Sequence, residues 1–470
     1  MKLINYKTKA MKKIRLLLIM SVAAAITSCS KDNDRDDNSV NPGPQSTTEA
    51  FATFTISVPK NPAQKVKTTK ATDEGTADET NVKTLHVFIY DSIAPHNPTV
   101  ANFSTADNTL LPTANGWKTS VPIRTLKADK YIFAGINLTP AIINEIEAKG
   151  FGAFNYKEFE QSVSDLTSTV NGFVMFNASY PTLTPGNALP TSKDAATANP
   201  ISIQMARVVA KAAVFKGLNF TINGGGEMQN ITFGWRNINK QFYFIPKIDG
   251  GIIKDYNWDS YNTNDFVRGT DTIPINANGA TPSQFTYALE NTFNYTPNVS
   301  LIDQSTFLSI RGQFRPDQII QIKGSTTPQT SDDFETVDNP NGYGTFYVVR
   351  TDDGISNYFI KSTDAEQYAQ LCINNAAGMP KLTGSYVVAD NTYTNGMCYY
   401  HVLVNSAASG QYTPYGIYRN QYYRLTLNSI QAPGNPNDNF DHNEVISPNT
   451  WIDVDITVND WEVVDEDRDL

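Results

Sequence analysis

The chain has 470 residues, of which 40% are hydrophobic, 11% aromatic and 18% charged, and its formal net charge is −10. An apolar content of this size can form a buried core, which excludes a largely disordered protein. Without the six basic residues of positions 1–28, the chain would keep 31 basic and 47 acidic residues, a net charge of −16. This balance excludes nucleic-acid binding through a basic surface, because nothing would offset repulsion by the phosphates.

The N-terminus has the layout of an export signal. Basic residues within 12–15 precede an apolar run over 16–26, which is too short to span a membrane. The run ends in the letters ITSC, whose cysteine is Cys29. We therefore predict a lipoprotein signal peptide at 1–28, lipidation of Cys29 and an acidic tether at 29–50. An ordinary signal peptide with an incidental cysteine is the alternative.

The first strand is predicted at 51–58, where the letters FATFTISV alternate between apolar and small polar side chains. Thr53, Thr55 and Ser57 are expected on the solvent face. The four apolar side chains are expected to share the buried face: Ala52, Phe54, Ile56 and Val58. Residues 60–82 contain several lysines without periodicity, so we expect an exposed loop there.

The remainder of the first half alternates strand patterns with short helical ones. Strands are predicted at 82–91, 130–138, 172–179 and 201–218. A helix is predicted at 141–150 with Gly150 as its C-cap, and a second short helix within 155–170. A domain boundary is expected near 215, which gives an N-terminal domain at 51–214 and a C-terminal domain at 215–470.

The second half is rich in aromatic strand patterns, with one helix predicted at 363–376 and a hairpin turn at Gly224–Gly226. The final strand, within 451–464, alternates like the first. Its apolar side chains are Ile452, Val454, Ile456 and Val458. A bend is expected at 459–460, after which Trp461 and Val463 would continue on a second short strand. The strand spacing predicts a mainly β protein with two β-sandwich-like domains and a few short helices.

Catalytic and metal-binding patterns are missing from the sequence. The four histidines, of which His86 is expected on the polar side of its strand, have neither a helical i, i+4 spacing nor an HExxH context. No nucleophile elbow or phosphate-loop motif occurs. We therefore predict no enzyme activity, no metal and no cofactor. The oxygen-rich loop 434–441 could bind calcium or be an ordinary solvated loop. Cys372 and Cys398 could form a disulfide or be buried free thiols.

Segments along the whole chain resemble the fimbrillins of Bacteroidales, the FimA/Mfa family that builds type V pili, and most closely its Mfa-type shaft subunits. The segments that carry the resemblance are the lipobox at Cys29, VKTLHVFIYD, KYIFAGINLTP, ARVVAKAAV, FGWRNINKQFYF, FLSIRGQFRP, YRNQYYRLTLNSI and the ending WIDVDITVNDWEVVDEDRDL. The resemblance implies transthyretin-like domains and a subunit of a cell-surface fimbria that supports adhesion.

The resemblance also implies a route of assembly. Such subunits travel as lipid-anchored precursors to the outer membrane, where a protease removes the first strand, here 51–59. A neighbouring copy then supplies a donor strand, so the subunits polymerise head to tail together with anchor and tip subunits. The two period-2 patterns of this chain independently suit such an exchange, since both could occupy the same kind of groove. The donor residues would be Ile452, Val454, Ile456, Val458, Trp461 and Val463.

The processing site departs from the family pattern. Fimbrillins are usually cut after an arginine in the loop that follows the first strand, but no arginine occurs between Arg35 and Arg124. Lys70 takes the corresponding place, so we expect cleavage between Lys70 and Ala71 by a protease of a different specificity. The alternative function is a non-polymerising surface lipoprotein or a pilus-tip adhesin that binds a glycan or a protein.

Overall fold

A computed structural model describes most of the chain after the predicted tether. The described residues are 47–58, 76–114, 116–259, 261–324, 327–406, 408–446 and 452–461. All of them lie within one compact unit, Pro44–Leu470. Within these ranges, none of the helices is long and apolar enough to cross a membrane.

The described residues form many short strands and a few short helices. The strands of the first half are β1 (Glu49–Ala52), β2 (Phe54–Ser57), β3 (Thr84–Asp91), β4 (Pro98–Ser104), β5 (Leu110–Thr113), β6 (Gly116–Thr119), β7 (Ile123–Leu126), β8 (Lys130–Ile136), β9 (Phe159–Glu160), β10 (Thr167–Ser168), β11 (Gly172–Phe173), β12 (Met175–Asn177), β13 (Ile201–Arg207) and β14 (Val209–Ile222). The strands of the second half are β15 (Gly226–Arg236), β16 (Ile238–Asn239), β17 (Gln241–Phe242), β18 (Ile248–Asp249), β19 (Ile252–Ile253), β20 (Phe266–Val267), β21 (Ile273–Pro274), β22 (Thr286–Leu289), β23 (Phe307–Pro316), β24 (Gln318–Ile322), β25 (Phe334–Asp338), β26 (Phe346–Arg350), β27 (Ser356–Phe359), β28 (Thr392–Tyr393), β29 (Met397–Val402), β30 (Gln421–Ile430) and β31 (Ile452–Asp460). The α-helices are α1 (Ala77–Thr80), α2 (Pro140–Lys149), α3 (Val163–Leu166), α4 (Lys193–Ala198) and α5 (Ser362–Ile373). The mainly β fold predicted from the sequence is confirmed.

The N-terminal core is organised around an eight-stranded sheet. Its strand order is β4–β3–β8–β12–β13–β2–β6–β5, so β2 is an interior strand with a neighbour on each side. Large side chains that lie in this core include Phe54, Phe88, Phe133, Phe154 and Phe176. The sheet therefore places β2, which is part of the first strand predicted from the sequence, in the centre of the N-terminal core.

A four-stranded sheet, in the order β22–β14–β30–β31, lies between two cores. Along β14, Val209, Ala213 and Phe215 belong to the N-terminal core. Ala212 and Val214, which point to the other face, belong to a second core in the C-terminal half. A second four-stranded sheet, β21–β15–β23–β29, also contributes to this second core through residues such as Trp235 and Leu308. The boundary predicted near 215 therefore falls inside a strand whose two faces are both buried.

An insertion in the second half has a small core of its own. Strands β23 and β29 pair with each other, although residues 317–396 separate them in the chain. This segment contains the hairpin β24–β25, the sheet β27–β26–β28 and the helix α5. Val349, Phe359 and Ala369 are fully buried in this third core.

Several predicted elements occur close to their expected positions. The helix predicted at 141–150 is α2, and Gly150 caps it with a φ of 55°, which glycine adopts without strain. The helix predicted at 363–376 is α5. The helix predicted within 155–170 is reduced to the four residues of α3.

The first strand differs from its prediction at Thr53. The chain forms two strands there, β1 and β2, with Thr53 between them. Thr53 was expected on the solvent face but is 1% exposed, because its hydroxyl donates to the carbonyl of Ala196 and its own carbonyl accepts from the Ile201 N–H. Phe51, just before it, is also buried. Buried and half-buried residues therefore alternate only after Thr53, from Phe54 to Val58.

Three further predictions are wrong in detail. The exposed loop expected at 60–82 contains helix α1, whose Glu79 is fully buried. His86 was placed on a polar face but is 9% exposed, because β3 is covered on both faces. The turn at Gly224–Gly226 joins β14 and β15, which belong to two different sheets, so it is not a hairpin turn.

Candidate functional site

The pairing of β2 defines a slot in the eight-stranded sheet. It pairs in parallel with β13, where Phe54 lies opposite Ile201 and Ile56 opposite Ile203. On its other side it pairs antiparallel with β6, where Ile56 lies opposite Trp117. A strand in this position satisfies backbone groups on both neighbours, so its removal would leave two unpaired edges facing each other.

The side chains of β2 and its flanks fill this slot. The four apolar residues predicted to share one face are all buried, with exposures of 2% at Ala52, 0% at Phe54, 2% at Ile56 and 7% at Val58. Full burial of Phe54, Ile56 and Val58 stabilises the fold by roughly 5–9 kcal/mol in total before conformational entropy is counted. The slot is therefore an apolar groove that is costly to leave empty.

The groove extends beyond the residues expected from the sequence. Strand β1 pairs antiparallel with β7, and Ala50 and Phe51 are buried there. The backbone N–H of Phe51 donates to the carbonyl of Pro190 at 2.8 Å. The sequence pattern did not predict that β1 contributes to the groove, because Ala50 and Phe51 are adjacent apolar residues and break the alternation from which the strand was predicted.

The C-terminal strand lies at the edge of its sheet. Among the described strands, β31 pairs antiparallel only with β30, with Ile456 opposite Leu425 and Val458 opposite Tyr423. Its apolar residues face the second core, where Ile452 is buried and Val454, Ile456 and Val458 are half-buried. The intervening residues Asp453, Asp455 and Thr457 are exposed. The alternation seen in the sequence thus corresponds to one apolar face and one polar face.

Trp461 follows β31 directly and does not lie on a second short strand after a bend, as was predicted. No bend occurs at 459–460, since β31 continues through Asp460. Trp461 is fully buried in the N-terminal core of its own chain, where its backbone N–H donates to the Asn420 carbonyl at 3.0 Å. In the single chain, the groove is therefore occupied by 49–58, and the C-terminal strand is docked on β30.

The remaining predicted site residues lie outside the described part of the chain. These residues are Cys29, Lys70, Ala71 and Val463. Lipidation and processing therefore stay predictions from the sequence.

The loop 434–441 is held by protein groups. The Asp438 carboxylate accepts hydrogen bonds from Arg236 Nε at 2.7 Å and from Ser309 Oγ at 2.5 Å, and His401 Nε2 lies 3.4 Å away. Burial alone would raise the pKa of Asp438, but the nearby His401 imidazole and the hydrogen bonds from Ser309 and Arg236 outweigh it and hold that pKa well below its usual value. These partners disfavour a calcium site at Asp438.

The described ranges also contain no group of three or more histidine, cysteine or acidic side chains that could hold a metal ion. Cys372 and Cys398 are buried free thiols, which decides between the two alternatives. Burial raises the pKa of each thiol to about 11, so neither is a thiolate at neutral pH.

A family model matches the C-terminal part of the chain. Residues 391–467 match the C-terminal region of fimbrillin, the major fimbrial subunit protein type IV. This segment includes β30 and β31. The resemblance to fimbrillins predicted from the sequence is confirmed over these residues. No curated protein matches the chain.

Several solved structures resemble the chain over most of its length. A candidate cell adhesion protein from Parabacteroides distasonis is 14% identical, with 90% of this chain and 99% of that chain covered and a TM-score of 0.47. A candidate cell adhesion protein from Bacteroides eggerthii is 12% identical, with 89% of this chain and 98% of that chain covered and a TM-score of 0.43. The C-terminally truncated tip fimbrial protein Mfa3 from Porphyromonas gingivalis is 13% identical, with 88% and 99% covered and a TM-score of 0.39.

Proposed function

We propose that this chain is a structural subunit of a cell-surface fimbria, and that it polymerises by donor-strand exchange to support adhesion. The fimbrillin match at 391–467 supports the class of protein. The observation that carries the mechanism is the contrast between the two alternating strands. Strand β2 is interior and fills an apolar groove, whereas β31 is an edge strand that has one partner within the part of the chain that the structure describes.

Maturation would follow from the position of β2 in the chain. The groove strands, 49–58, directly precede the segment in which we place the cut between Lys70 and Ala71. A cut there would separate them from the remainder of the fold. N-terminal sequencing of the shed polymer should begin near Ala71, and a polymer that still contains 51–58 would refute the opening of the groove.

Export would precede this cut. Lipidation of Cys29 would anchor the precursor in the outer membrane, and release after cleavage would leave an extracellular polymer with anchor and tip subunits as further partners. Metabolic labelling with a fatty-acid analogue tests this step. Equal labelling of the wild type and Cys29→Ala would contradict it.

Strand exchange would then place the C-terminal strand of one copy in the groove of the next. Ile452, Val454, Ile456 and Val458 would occupy the positions that Ala52, Phe54, Ile56 and Val58 leave. Main-chain pairing with β13 and β6 supplies affinity, and the alternating apolar side chains set the register. The docked position of β31 would be the state of the chain before exchange.

The sharpest test compares two neighbouring positions on β31. Ile456→Asp would place an unpaired charge inside the groove, which is strongly penalised, and should abolish polymer. Asp455→Asn changes the exposed face and should polymerise like the wild type. Because Ile456 is only half-buried at a sheet edge, the Ile456→Asp monomer should still fold, which circular dichroism checks.

The readout is the ladder of heat-sensitive oligomers on gels. A ladder from Ile456→Asp that equals the wild-type ladder would show that β31 belongs permanently to its own chain. That result would favour the alternative of a non-polymerising surface lipoprotein or tip adhesin.

A further inference from the structure

Glu79 is the centre of a buried polar cluster that joins helix α1 to Trp461, the last described residue. Glu79 lies on α1, and Lys211 lies on β14. Glu79 is 0% exposed and Lys211 1% exposed, and the Lys211 Nζ lies 2.8 Å from Glu79 Oε1. The Tyr287 hydroxyl donates to the same carboxylate at 2.6 Å. This ion pair is therefore completely removed from water.

Trp461 completes the cluster from the C-terminal side. Its indole Nε1 donates to Glu79 Oε2 at 3.3 Å. Its ring stacks on Tyr287 with centroids 5.9 Å apart and lies 4.3 Å from the guanidinium carbon of Arg207. The Arg207 Nε in turn donates to the backbone carbonyl of Glu79 at 3.0 Å. One ring thus contacts the carboxylate and covers a buried cation.

The charges of the cluster make these contacts interdependent. Arg207 and Lys211 are two fully buried cations; the Glu79 carboxylate pairs with Lys211, and the Glu79 backbone carbonyl accepts from Arg207. Aromatic faces provide the additional stabilisation, including the Trp461 ring at 5.2 Å from Lys211 Nζ. Departure of Trp461 would take a donor from Glu79 and an aromatic face from both cations. Loss of the Glu79 charge would remove the carboxylate that pairs with Lys211 and accepts from Trp461.

Strand β31 depends on this anchor more than an interior strand would. It has one neighbour among the strands that the structure describes, and Val454, Ile456 and Val458 are only half-buried. Its first residue, Ile452, is buried, and Trp461 lies immediately after its last residue and is fully buried. Most of the attachment at the C-terminal end is therefore made through Trp461.

We propose that Glu79 and Trp461 form a latch that holds the C-terminal strand on its own chain. The latch itself does not depend on the proposed function. Its consequence rests on that function, because a strand held in this way is less available to a second copy. Glu79 would then be an autoinhibitory residue located just after the segment that contains the predicted processing site.

Hydrogen exchange of the purified full-length chain, followed by mass spectrometry, tests the latch without any polymer. Glu79→Gln keeps the size of the side chain and removes its charge. We expect exchange at 452–461 to accelerate at least tenfold, while β3 keeps the wild-type rate. Glu147→Gln on the exposed face of α2 is the matched control and should leave both regions unchanged.

If Glu79 stabilises the docked position of Trp461, Trp461 must stabilise the position of Glu79 equally, since a coupling free energy is reciprocal. Trp461→Ala should accelerate exchange at 77–80 as well as at 452–461. Wild-type exchange at 77–80 in Trp461→Ala would overturn the latch, and this variant carries the test if Glu79→Gln does not fold. Equal acceleration in every strand of Glu79→Gln would also overturn it, because the cluster would then be only a part of the global core.

A polymerisation assay separates the latch from the proposed function. If the donor role is correct, Glu79→Gln should polymerise faster than the wild type after processing. Opening of β31 without faster polymerisation would contradict the donor role and leave the latch supported.

Discussion

Phe54 offers a test of whether the first strand leaves the mature protein. Phe54 is 0% exposed in the groove and lies opposite Ile201 on β13. Truncation of a buried phenylalanine to alanine costs about 3–5 kcal/mol, because apolar contact is lost and a cavity remains. Phe54→Ala should lower the stability of the precursor by this amount. If 51–59 is removed during maturation, the same substitution should leave the polymer unchanged.

Phe176→Ala is the matched control. Phe176 is 1% exposed in the same N-terminal core, but it lies on β12, which stays in the mature chain. Its truncation should destabilise precursor and polymer alike. Urea unfolding measures the precursor, and the temperature at which the polymer dissociates measures the polymer. A Phe54→Ala polymer that dissociates at as low a temperature as the Phe176→Ala polymer would refute the removal of β2.

Two further predictions concern buried charges. Because the folded-state pKa of Asp438 is depressed, its contribution to stability is complete above the usual aspartate pKa of about 4 and is lost as the pH falls through the folded-state value. Asp438→Asn should therefore cost about 1.5–3 kcal/mol at neutral pH, and urea unfolding of this variant should show a weaker decline in acid than the wild type. Glu290 is 1% exposed and accepts from Arg419 Nε at 3.0 Å, so Glu290→Gln should cost about 3–5 kcal/mol by leaving a buried cation unpaired. Unfolding that matches the exposed control Glu147→Gln would contradict this second prediction.

Local patterns predicted the elements whose environment is one-sided. The apolar positions of β31 alternate because one face meets the second core and the other meets solvent. Helix α2 was predicted from a short helical stretch that ends at Gly150, which is a local signal. Such elements can be located from the sequence because burial on one face leaves a periodic trace.

Elements covered on both faces left no such trace. All of β3 after Thr84 is buried, including His86 and Tyr90, so alternation underestimated its burial. The Glu79–Lys211 pair joins residues 132 positions apart in the chain. Glu79 lies in a segment whose composition is that of an exposed loop, and only the folded arrangement brings its partners to it. The third core was not predicted either, because it belongs to an insertion between β23 and β29 that is recognised only when these two strands are seen to pair.

In the proposed exchange, β31 could be docked on β30 of its own chain or lie in the groove of a second copy. The free energies of these two positions would differ, and the difference would give the exchange a direction. In its own chain, β31 has one hydrogen-bonded neighbour among the described strands and three half-buried apolar side chains. In the groove it would have two neighbours, β13 and β6, as β2 does. Completing the burial of three aliphatic side chains would contribute roughly 2–5 kcal/mol, with further main-chain pairing along the second edge. The departure of Trp461 from the Glu79 cluster opposes this gain. While β2 occupies the groove, no such gain exists, so exchange would become favourable only after the first strand has left.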